Sequence, residues 1–178
     1  ERSPLDRGKT LLLNENNRRL RFLSKEEIDR LLAECTVHLK RIVECAIHTG
    51  MRRGEILSRK WSQIRNGFIY PEKTKTNEAR QIPINDDLEK LFKEIRREQH
   101  LTSAHVFTYG KNEEKIKDYE RYRKRTEVIP LGRSIGSVKT AFNAALKRAG
   151  IEDFKFHDLR HTFASQLLMR GGTLKDVQ

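Results

Sequence analysis

The chain has few of the residues that build disulfide-rich secreted domains or membrane-spanning helices. Its 178 residues contain 2 cysteines, 4 prolines and 1 tryptophan, and 7% of them are aromatic. No apolar run approaches the roughly 18 residues that a membrane-spanning helix needs. Two cysteines cannot supply the several disulfides that stabilise a small secreted domain. Cys35 and Cys45 both fall at apolar helical positions, so we interpret them as core residues of a reduced, cytoplasmic protein, with a disulfide as the alternative.

Acidic residues are also in the minority. Asp and Glu number 25 against 37 Lys and Arg, which gives a formal net charge of +12 at pH 7. Such an excess favours a polyanionic partner, with nucleic acid first and an anionic membrane surface second. Hydrophobic residues make up 36% of the chain and recur with clear periods. The length and this patterning indicate one ordinary domain.

Helical periodicity dominates the sequence from residue 24 onward. Ser24 and Glu27 form a capping box, and apolar residues follow at i, i+3, i+4 and i+7. A second helix is predicted to end at Gly50, and a third begins within "MRRGEILSRKW". Asn85 and Ser137 are predicted to cap two further helices. The last helix lies within "FKFHDLRHTFASQLL", residues 154 to 168.

Two short runs are typical of strands rather than helices. "GFIY" and "RQIPI" are rich in β-branched and aromatic residues, and the polar stretch "PEKTKTNEA" separates them. We predict an antiparallel hairpin with a long tip, in which Pro83 marks an edge strand. The predicted fold class is therefore α+β, mainly α-helical with a small antiparallel β-hairpin or sheet.

The helix in residues 154 to 168 carries an unusual cationic face. His157, Arg160 and His161 are spaced at i, i+3 and i+4, so they point the same way. In phosphoryl transfer an arginine neutralises phosphate oxygens while a histidine moves a proton. One alternative is a structural histidine beside an arginine whose head reaches water. Another is an H-x-x-x-H zinc site with Asp158 beside the first ligand, although no third ligand is evident and Arg160 would face the cation.

Two further basic groups stand at predicted element ends. Arg52 and Arg53 follow a glycine at a helix start, where free amides and guanidinium forks both favour an oxyanion. The alternative is a solvated arginine beside one paired with Glu55. Lys73 and Lys75 lie on the hairpin tip, and a lysine there could act as a general acid if nearby arginines lower its pKa. Simple solvation is the alternative for both lysines.

Taken together, these segments resemble a known enzyme family. "HTGMRRGEI", "KTKTNEARQIPI" and "HDLRHTFAS" resemble, in order, the three core motifs of the tyrosine recombinases of the phage-integrase type. The resemblance covers about residues 23 to 178 and implies the catalytic-domain fold of that family. It assigns catalytic roles to Arg52, Lys75, His157 and Arg160, with Lys73 as the alternative hairpin lysine.

The same resemblance implies supporting and DNA-binding roles. Glu55 matches an acidic position that braces the site, and Arg53 and His161 are interpreted as supporting or structural. Direct DNA contacts are expected from the hairpin and from the charge-dense stretch 108–133. The residues expected to make them are Lys73, Arg80, Lys115, Lys117, Arg121 and Arg123.

The chemistry implied by the resemblance needs neither a metal ion nor another cofactor. A tyrosine oxygen attacks a DNA phosphodiester and leaves a 3′-phosphotyrosyl bond and a free 5′-hydroxyl, so bond energy is conserved. Arg52 and Arg160 would hold the phosphate charge, Lys75 would protonate the 5′-oxygen, and His157 would assist proton transfer. The implied partner is double-stranded DNA, with a homotetramer on recombining sites, a fragment that can be monomeric alone, and no membrane.

The sequence departs from the family pattern in one respect. The family places its nucleophilic tyrosine well after the H-x-x-R box, whereas the four tyrosines here (Tyr70, Tyr109, Tyr119 and Tyr122) precede it. We therefore expect a bacterial or phage-encoded integrase fragment in which residues 1–22 are a linker from a missing domain and residues 23–178 are a catalytic domain incomplete at its C-terminus. The fragment alone is expected to be inactive. The alternative function is a basic DNA-binding module without cleavage activity.

Overall fold

The computed structural model describes residues 21–71, 80–98, 103–109, 132 and 134–173. The predicted linker before residue 21, the hairpin tip and most of the charge-dense stretch lie outside these residues. The regular elements, in chain order, are α1 (Lys25–Glu34), α2 (Val37–Thr49), α3 (Arg53–Leu57), β1 (Ile64–Arg65), β2 (Phe68–Ile69), β3 (Ile82–Pro83), α4 (Asp86–Glu98), α5 (Lys139–Arg148) and α6 (Asp158–Met169).

Helix α1 begins at the predicted capping box. The Ser24 hydroxyl accepts a hydrogen bond from the Glu27 N–H at 3.2 Å, and the Glu27 carboxylate accepts one from the Ser24 N–H at 3.0 Å. The far end of α1 is joined to α5, because Arg148 donates to the carboxylate and the carbonyl of Glu34 at 3.0 and 2.6 Å. These contacts confirm the first predicted helix and place it beside α5.

Helix α2 is the centre of the hydrophobic core. Its buried side chains face α1, α3, α4 and α6, and Leu39, Ile42 and Val43 are at most 2% exposed. Cys45 is buried within α2, Cys35 packs against the core, and both thiols are free. Burial raises the pKa of Cys35 to about 11 and that of Cys45 to about 12, so both stay protonated. The core interpretation is confirmed, and the disulfide alternative is wrong.

The small sheet has three strands in the order β1-β2-β3, all antiparallel. Ile69 of β2 pairs with Ile64 on one side and with Ile82 on the other. The predicted hairpin is confirmed, and Pro83 does lie on an edge strand. Strand β1 was not predicted, because two residues are too few to show a period. Asn66 and Gly67 make its tight turn, both at positive φ, as this short hairpin geometry requires.

Two predicted helix caps have different outcomes. Asn85 caps α4 as expected, since its side-chain oxygen accepts the Leu88 N–H at 2.9 Å. Ser137 does not cap α5, because Val138 occupies the N-cap position and has no side-chain oxygen. The Ser137 hydroxyl instead accepts a long, 3.4 Å hydrogen bond from the Lys139 N–H. The helix therefore starts one residue later than a cap at Ser137 would give.

Helix α6 begins at Asp158, four residues after the start of the predicted stretch. Phe154 and Phe156 precede it as core residues, with ring centroids 6.4 and 5.1 Å from that of Phe142 on α5. Asp158 fixes the helix start by accepting the Lys155 N–H at 2.8 Å. Among the described helices, none is long and apolar enough to cross a membrane.

Candidate functional site

The turn after α2 sets the geometry of the site. Thr49 donates its hydroxyl hydrogen to the Cys45 carbonyl at 2.5 Å and accepts the Met51 N–H at 3.2 Å. Gly50 takes φ of +61°, a conformation that glycine adopts without the strain that a side chain brings. The chain therefore reverses sharply, buries Met51 and starts α3 immediately beyond Arg52.

Gly50 also lies in close contact with α6. A Cβ atom on Gly50 would lie 2.4 Å from Cδ1 of Phe163, so no larger residue fits there without a shift. Arg160 reaches over the same turn, and its Nη1 donates to the Gly50 carbonyl at 2.8 Å. The "TGM" segment and the H-x-x-R segment are 110 residues apart in sequence. They meet at this glycine.

Glu55 connects the basic residues on the neighbouring elements. One carboxylate oxygen accepts the backbone N–H of Arg52 at 2.9 Å and Nη2 of Arg80 at 2.5 Å. The other accepts Nη1 of Arg52 at 3.1 Å. Burial by itself raises the pKa of Glu55, but these hydrogen bonds and the charges of Arg80 and Arg52 outweigh it and lower the pKa. Glu55 is therefore a carboxylate, and the side chain of Arg52 stays 56% exposed above it.

Positive charge exceeds negative charge around Arg160. The pKa of Arg160 is lowered, first by burial and then by the charges of Arg80 and Arg52, with only Glu55 acting in the opposite direction. Three guanidinium groups thus share one carboxylate. An anion bound among them would reduce their mutual repulsion, and guanidinium forks match the oxygens of a phosphate.

An open pocket of about 610 Å³ lies beside this cluster. Arg52 and His157 border it together, and Met51, Phe142 and Phe156 supply its apolar surface. The remaining lining residues are Arg53, Gly54, Lys139, Asn143 and Lys155. Among the described residues, the lining carries several cations and no acidic side chain, which suits a segment of sugar-phosphate chain.

Lys139 and Lys155 are the pocket residues that sequence reasoning missed. They belong to none of the recognised motifs, and they reach the site because the start of α5 packs against the segment before α6. The only available signal was their position just before or at a predicted helix start, which is too common to single them out. Their place in the site follows from tertiary packing.

A buried arginine braces the site from below. Arg59 is 2% exposed, and its Nη1 donates to the side-chain oxygen of Gln63 and to the carbonyl of Tyr70, both at 2.9 Å. Its Nη2 donates to the carbonyl of Glu55 at 2.9 Å. Arg59 therefore ties α3 to the sheet and fixes the backbone on which Arg52 and Glu55 stand.

Comparison with known sequences identifies the family. A sequence model described as the phage integrase family matches residues 21–178. The chain belongs to the phage integrase family. It is 38% identical over 167 residues to the integrase of Salmonella phage P22, which covers 91% of this chain and 40% of that protein. It is 32% identical to a XerC-like tyrosine recombinase of Caldanaerobacter subterraneus subsp. tengcongensis, covering 86% of this chain and 45% of that relative. The chain thus spans less than half the length of these curated relatives.

Solved structures of phage integrases have the same fold. The catalytic domain of the bacteriophage HP1 integrase superposes with a TM-score of 0.59 at 29% identity, covering 89% of this chain and 80% of that one. The lambda integrase catalytic core gives a TM-score of 0.62 and covers 84% of each chain. At 21% identity, this match supports similarity of fold alone. The predicted fold class is confirmed.

The integrase fold brings together the motif residues that the structure describes. Arg52, Glu55, Arg80 and Arg160 form one cluster, and His157 shares the adjoining pocket with Arg52. The His157 and His161 rings lie edge to face, 5.9 Å apart, so these two of the three predicted residues share a face. The expected roles of six residues on the hairpin tip and in the charge-dense stretch stay predictions, because these residues lie outside the described part: Lys73, Lys75, Lys115, Lys117, Arg121 and Arg123.

A zinc site at His157 and His161 would need a third ligand, and the described residues around them offer none. Within the described ranges, no group of three or more His, Cys, Asp or Glu side chains could hold a metal ion. The Asp158 carboxylate, the nearest candidate in sequence, accepts the Lys155 N–H at the start of α6. His157 and His161 would therefore face a cation with the two imidazoles alone and with Arg160 on the same helix.

Proposed function

We propose that this chain is the DNA-cleaving domain of a site-specific recombinase that acts through a 3′-phosphotyrosyl intermediate. The observation that carries the proposal is the meeting of Arg52 and Arg160 at the Gly50 turn, with Glu55 as their shared counter-charge. Membership of the phage integrase family supports it. Two guanidinium groups at one point are suited to the non-bridging oxygens of a single phosphodiester.

Each proposed role follows from the chemistry of the side chain. Arg52 and Arg160 stabilise the charge that develops on the phosphate oxygens as the tyrosine oxygen attacks phosphorus. His157 takes the tyrosine proton, and Lys75 gives a proton to the 5′-oxygen as the P–O5′ bond breaks. The phosphorus–tyrosine bond replaces the phosphorus–O5′ bond, and a 5′-hydroxyl can later reverse the step without ATP.

We propose that the nucleophile comes from outside residues 1–178. All four tyrosines of the chain precede His157 in sequence. Tyr70 is stacked under Arg65, 4.8 Å from guanidinium carbon to ring centroid, and neither Tyr70 nor Tyr109 lines the pocket. In the same proposal residues 1–22 are a linker and residues 23–178 are a catalytic domain completed by a further segment.

The proposed partner is double-stranded DNA, with four copies assembling on recombining sites. The basic pocket beside Arg52 would hold a phosphate next to the one being cleaved, with Lys139 and Lys155 as its ligands. A lambda integrase of similar fold, with a TM-score of 0.61 at 22% identity, is known as a tetramer bound to a Holliday junction. We also propose the bacterial cytoplasm as the compartment, because the DNA on which the chain would act is cellular or phage DNA.

Covalent capture tests this proposal. The whole protein that carries these residues is incubated with a library of nicked duplexes of randomised sequence, and adducts that resist heat and detergent are recovered on a denaturing gel. We expect protease-sensitive adducts enriched in one sequence, with none from Arg52→Gln. Salt-dependent DNA binding without any adduct in the wild-type protein would instead identify a binding module that does not cleave.

A further inference from the structure

We propose that Arg80 is a positioning residue, which acts through Glu55 to orient the guanidinium group of Arg52. Its Nη2 donates to the carboxylate oxygen of Glu55 that also accepts the Arg52 N–H, and the other oxygen of the same carboxylate holds Nη1 of Arg52. The carboxylate is thus fixed from both sides. This inference deepens the proposed function and rests on it for the role of Arg52.

The orientation of Arg80 distinguishes this role from direct DNA binding. Its side chain is only 27% exposed, its Nη2 is used by Glu55, and its Nε is buried with no acceptor among the described residues. Arg52, in contrast, is 56% exposed above the same carboxylate. A phosphate arriving from solvent therefore reaches Arg52 first, and Arg80 lies behind it.

Glu55 needs a second partner besides Arg52, and Arg80 supplies it. Glu55 is 15% exposed, and a carboxylate that loses water requires several donors to remain charged. Arg52 alone would have to satisfy it and would then be held away from a substrate. Because Arg80 carries part of that demand, Arg52 can turn one face of its fork to the pocket while Glu55 holds the other.

Arg80 also adds to the field at Arg160. After burial, its charge lowers the pKa of Arg160 more than the charge of Arg52 does. Removing Arg80 would therefore change both how Arg52 is held and how strongly the cluster attracts an anion. The two contributions can be separated by comparing a neutral replacement with one that keeps the charge.

The experiment uses inorganic phosphate and the 178-residue chain, followed by NMR of the arginine side chains and of the Glu55 carboxyl carbon. We expect Arg80→Gln to raise the pKa of Glu55 and to weaken phosphate binding at Arg52 by about fivefold, as for other members of one hydrogen-bond network. Arg80→Lys keeps the charge and one donor group, so its phosphate affinity should lie between those of the wild type and Arg80→Gln. Arg97→Gln, an exposed arginine in the last turn of α4, is the charge-matched control.

Two arms decide whether Arg80 acts through Glu55. In a Glu55→Gln background, Arg80→Gln should have much less effect on phosphate binding than in the wild type. In the second arm, Arg80→Gln alone should show the same slope of log affinity for duplex DNA against log salt concentration as the wild type. An undiminished effect in that background would overturn the proposal, and so would a slope reduced by about 0.9, which indicates a direct phosphate contact.

Failure of the recombinase proposal would give a different pattern. If the whole protein forms no DNA adduct, the function falls, but the Glu55 pKa and the Arg52 signals still report whether Arg80 positions its neighbour. If Arg80→Gln does not fold, Arg80→Lys carries the test. A phosphate affinity identical to wild type in both Arg80→Lys and Glu55→Gln would remove the positioning role.

Discussion

Arg59 and Arg160 are both arginines that donate to backbone carbonyls, yet they stand in opposite surroundings. Arg59 is 2% exposed and gives its terminal nitrogens to the carbonyls of Glu55 and Tyr70 and to the amide of Gln63. Arg160 is only half buried, bonds the Gly50 carbonyl, and is surrounded by other guanidinium groups. In the first arrangement the terminal nitrogens bond neutral acceptors, and in the second the guanidinium group lies near two other cations and one carboxylate.

The difference shows how to distinguish a structural arginine from a binding one. A buried guanidinium surrounded by carbonyls stabilises the chain segments that supply them, because each carbonyl would otherwise lose its partner. In the second cluster, two guanidinium groups bond the Glu55 carboxylate and Arg160 lies near both, so a bound anion would reduce their mutual repulsion. Stability should therefore depend on Arg59, and chemistry on Arg160.

The largest expected effect is on chemistry. Arg160→Ala in the whole protein should lower the rate of the proposed strand cleavage about a thousandfold, because it removes a donor aimed at the charge of the transition state. DNA affinity should stay within about threefold, since many other phosphate contacts remain. Single-turnover cleavage and fluorescence anisotropy measure the two. Equal losses of binding and cleavage would place Arg160 among ordinary DNA contacts and would remove the contrast with Arg59.

The reciprocal variant should act on stability. Arg59→Met removes three hydrogen bonds and leaves the carbonyls of Glu55 and Tyr70 without this donor, so we expect a loss of about 3 kcal/mol in the free energy of unfolding. Urea denaturation of the 178-residue chain measures it. Arg97→Met is the control, because Arg97 is exposed on α4. A loss no larger than that of the control would show that Arg59 is not a structural brace.

Local sequence patterns predicted most of the fold. The capping box at Ser24, the turn at Gly50 and the apolar periods each depend on neighbours within about four residues. This is the distance over which residues of one helix contact each other. The motif match then paired Arg52 with Arg160. No local pattern revealed that Arg59 is buried, because "LSRKW" is equally compatible with a solvated arginine. Its acceptors on Glu55 and Gln63 lie four residues away, but the third, the Tyr70 carbonyl, comes from the far side of β2.

Gly50 tests whether the meeting of the two motifs depends on close packing. Gly50→Ala should cost about 2 kcal/mol, from the left-handed conformation and from the clash of the new Cβ with Phe163. The same shift should displace the Gly50 carbonyl that accepts a hydrogen bond from Arg160, so the rate of cleavage per folded molecule should fall. Gly150→Ala is the matched control, because Gly150 also has a positive φ, +65°, and no described atom lies within 4 Å of its added Cβ. Urea denaturation with both variants measures the cost, and equal stabilities would mean that α2 and α6 have room to spare.

The positions of the pocket lysines and the partner of Arg80 could not be predicted for a related reason. Lys139 and Lys155 enter the pocket because Phe142 packs against Phe156, and Arg80 joins the cluster through a carboxylate 25 residues earlier in the chain. Such pairings are set by the packing of whole elements and leave no spacing in the sequence. The charge of the surface could be read from composition, but the partner of each charge could not.

The smallest expected effect separates the pocket lysines from charge in general. If Lys139 and Lys155 each bind a phosphate, then Lys139→Gln and Lys155→Gln should each lower the slope of log affinity against log salt by about 0.9. Lys93→Gln removes the same charge from α4, where Lys93 is paired with Glu89 at 2.6 Å, and should leave the slope unchanged. Binding of one duplex over a series of salt concentrations measures all three. A uniform decrease would mean that the duplex responds to net charge alone, and the pocket beside Arg52 would then have no particular part in holding DNA.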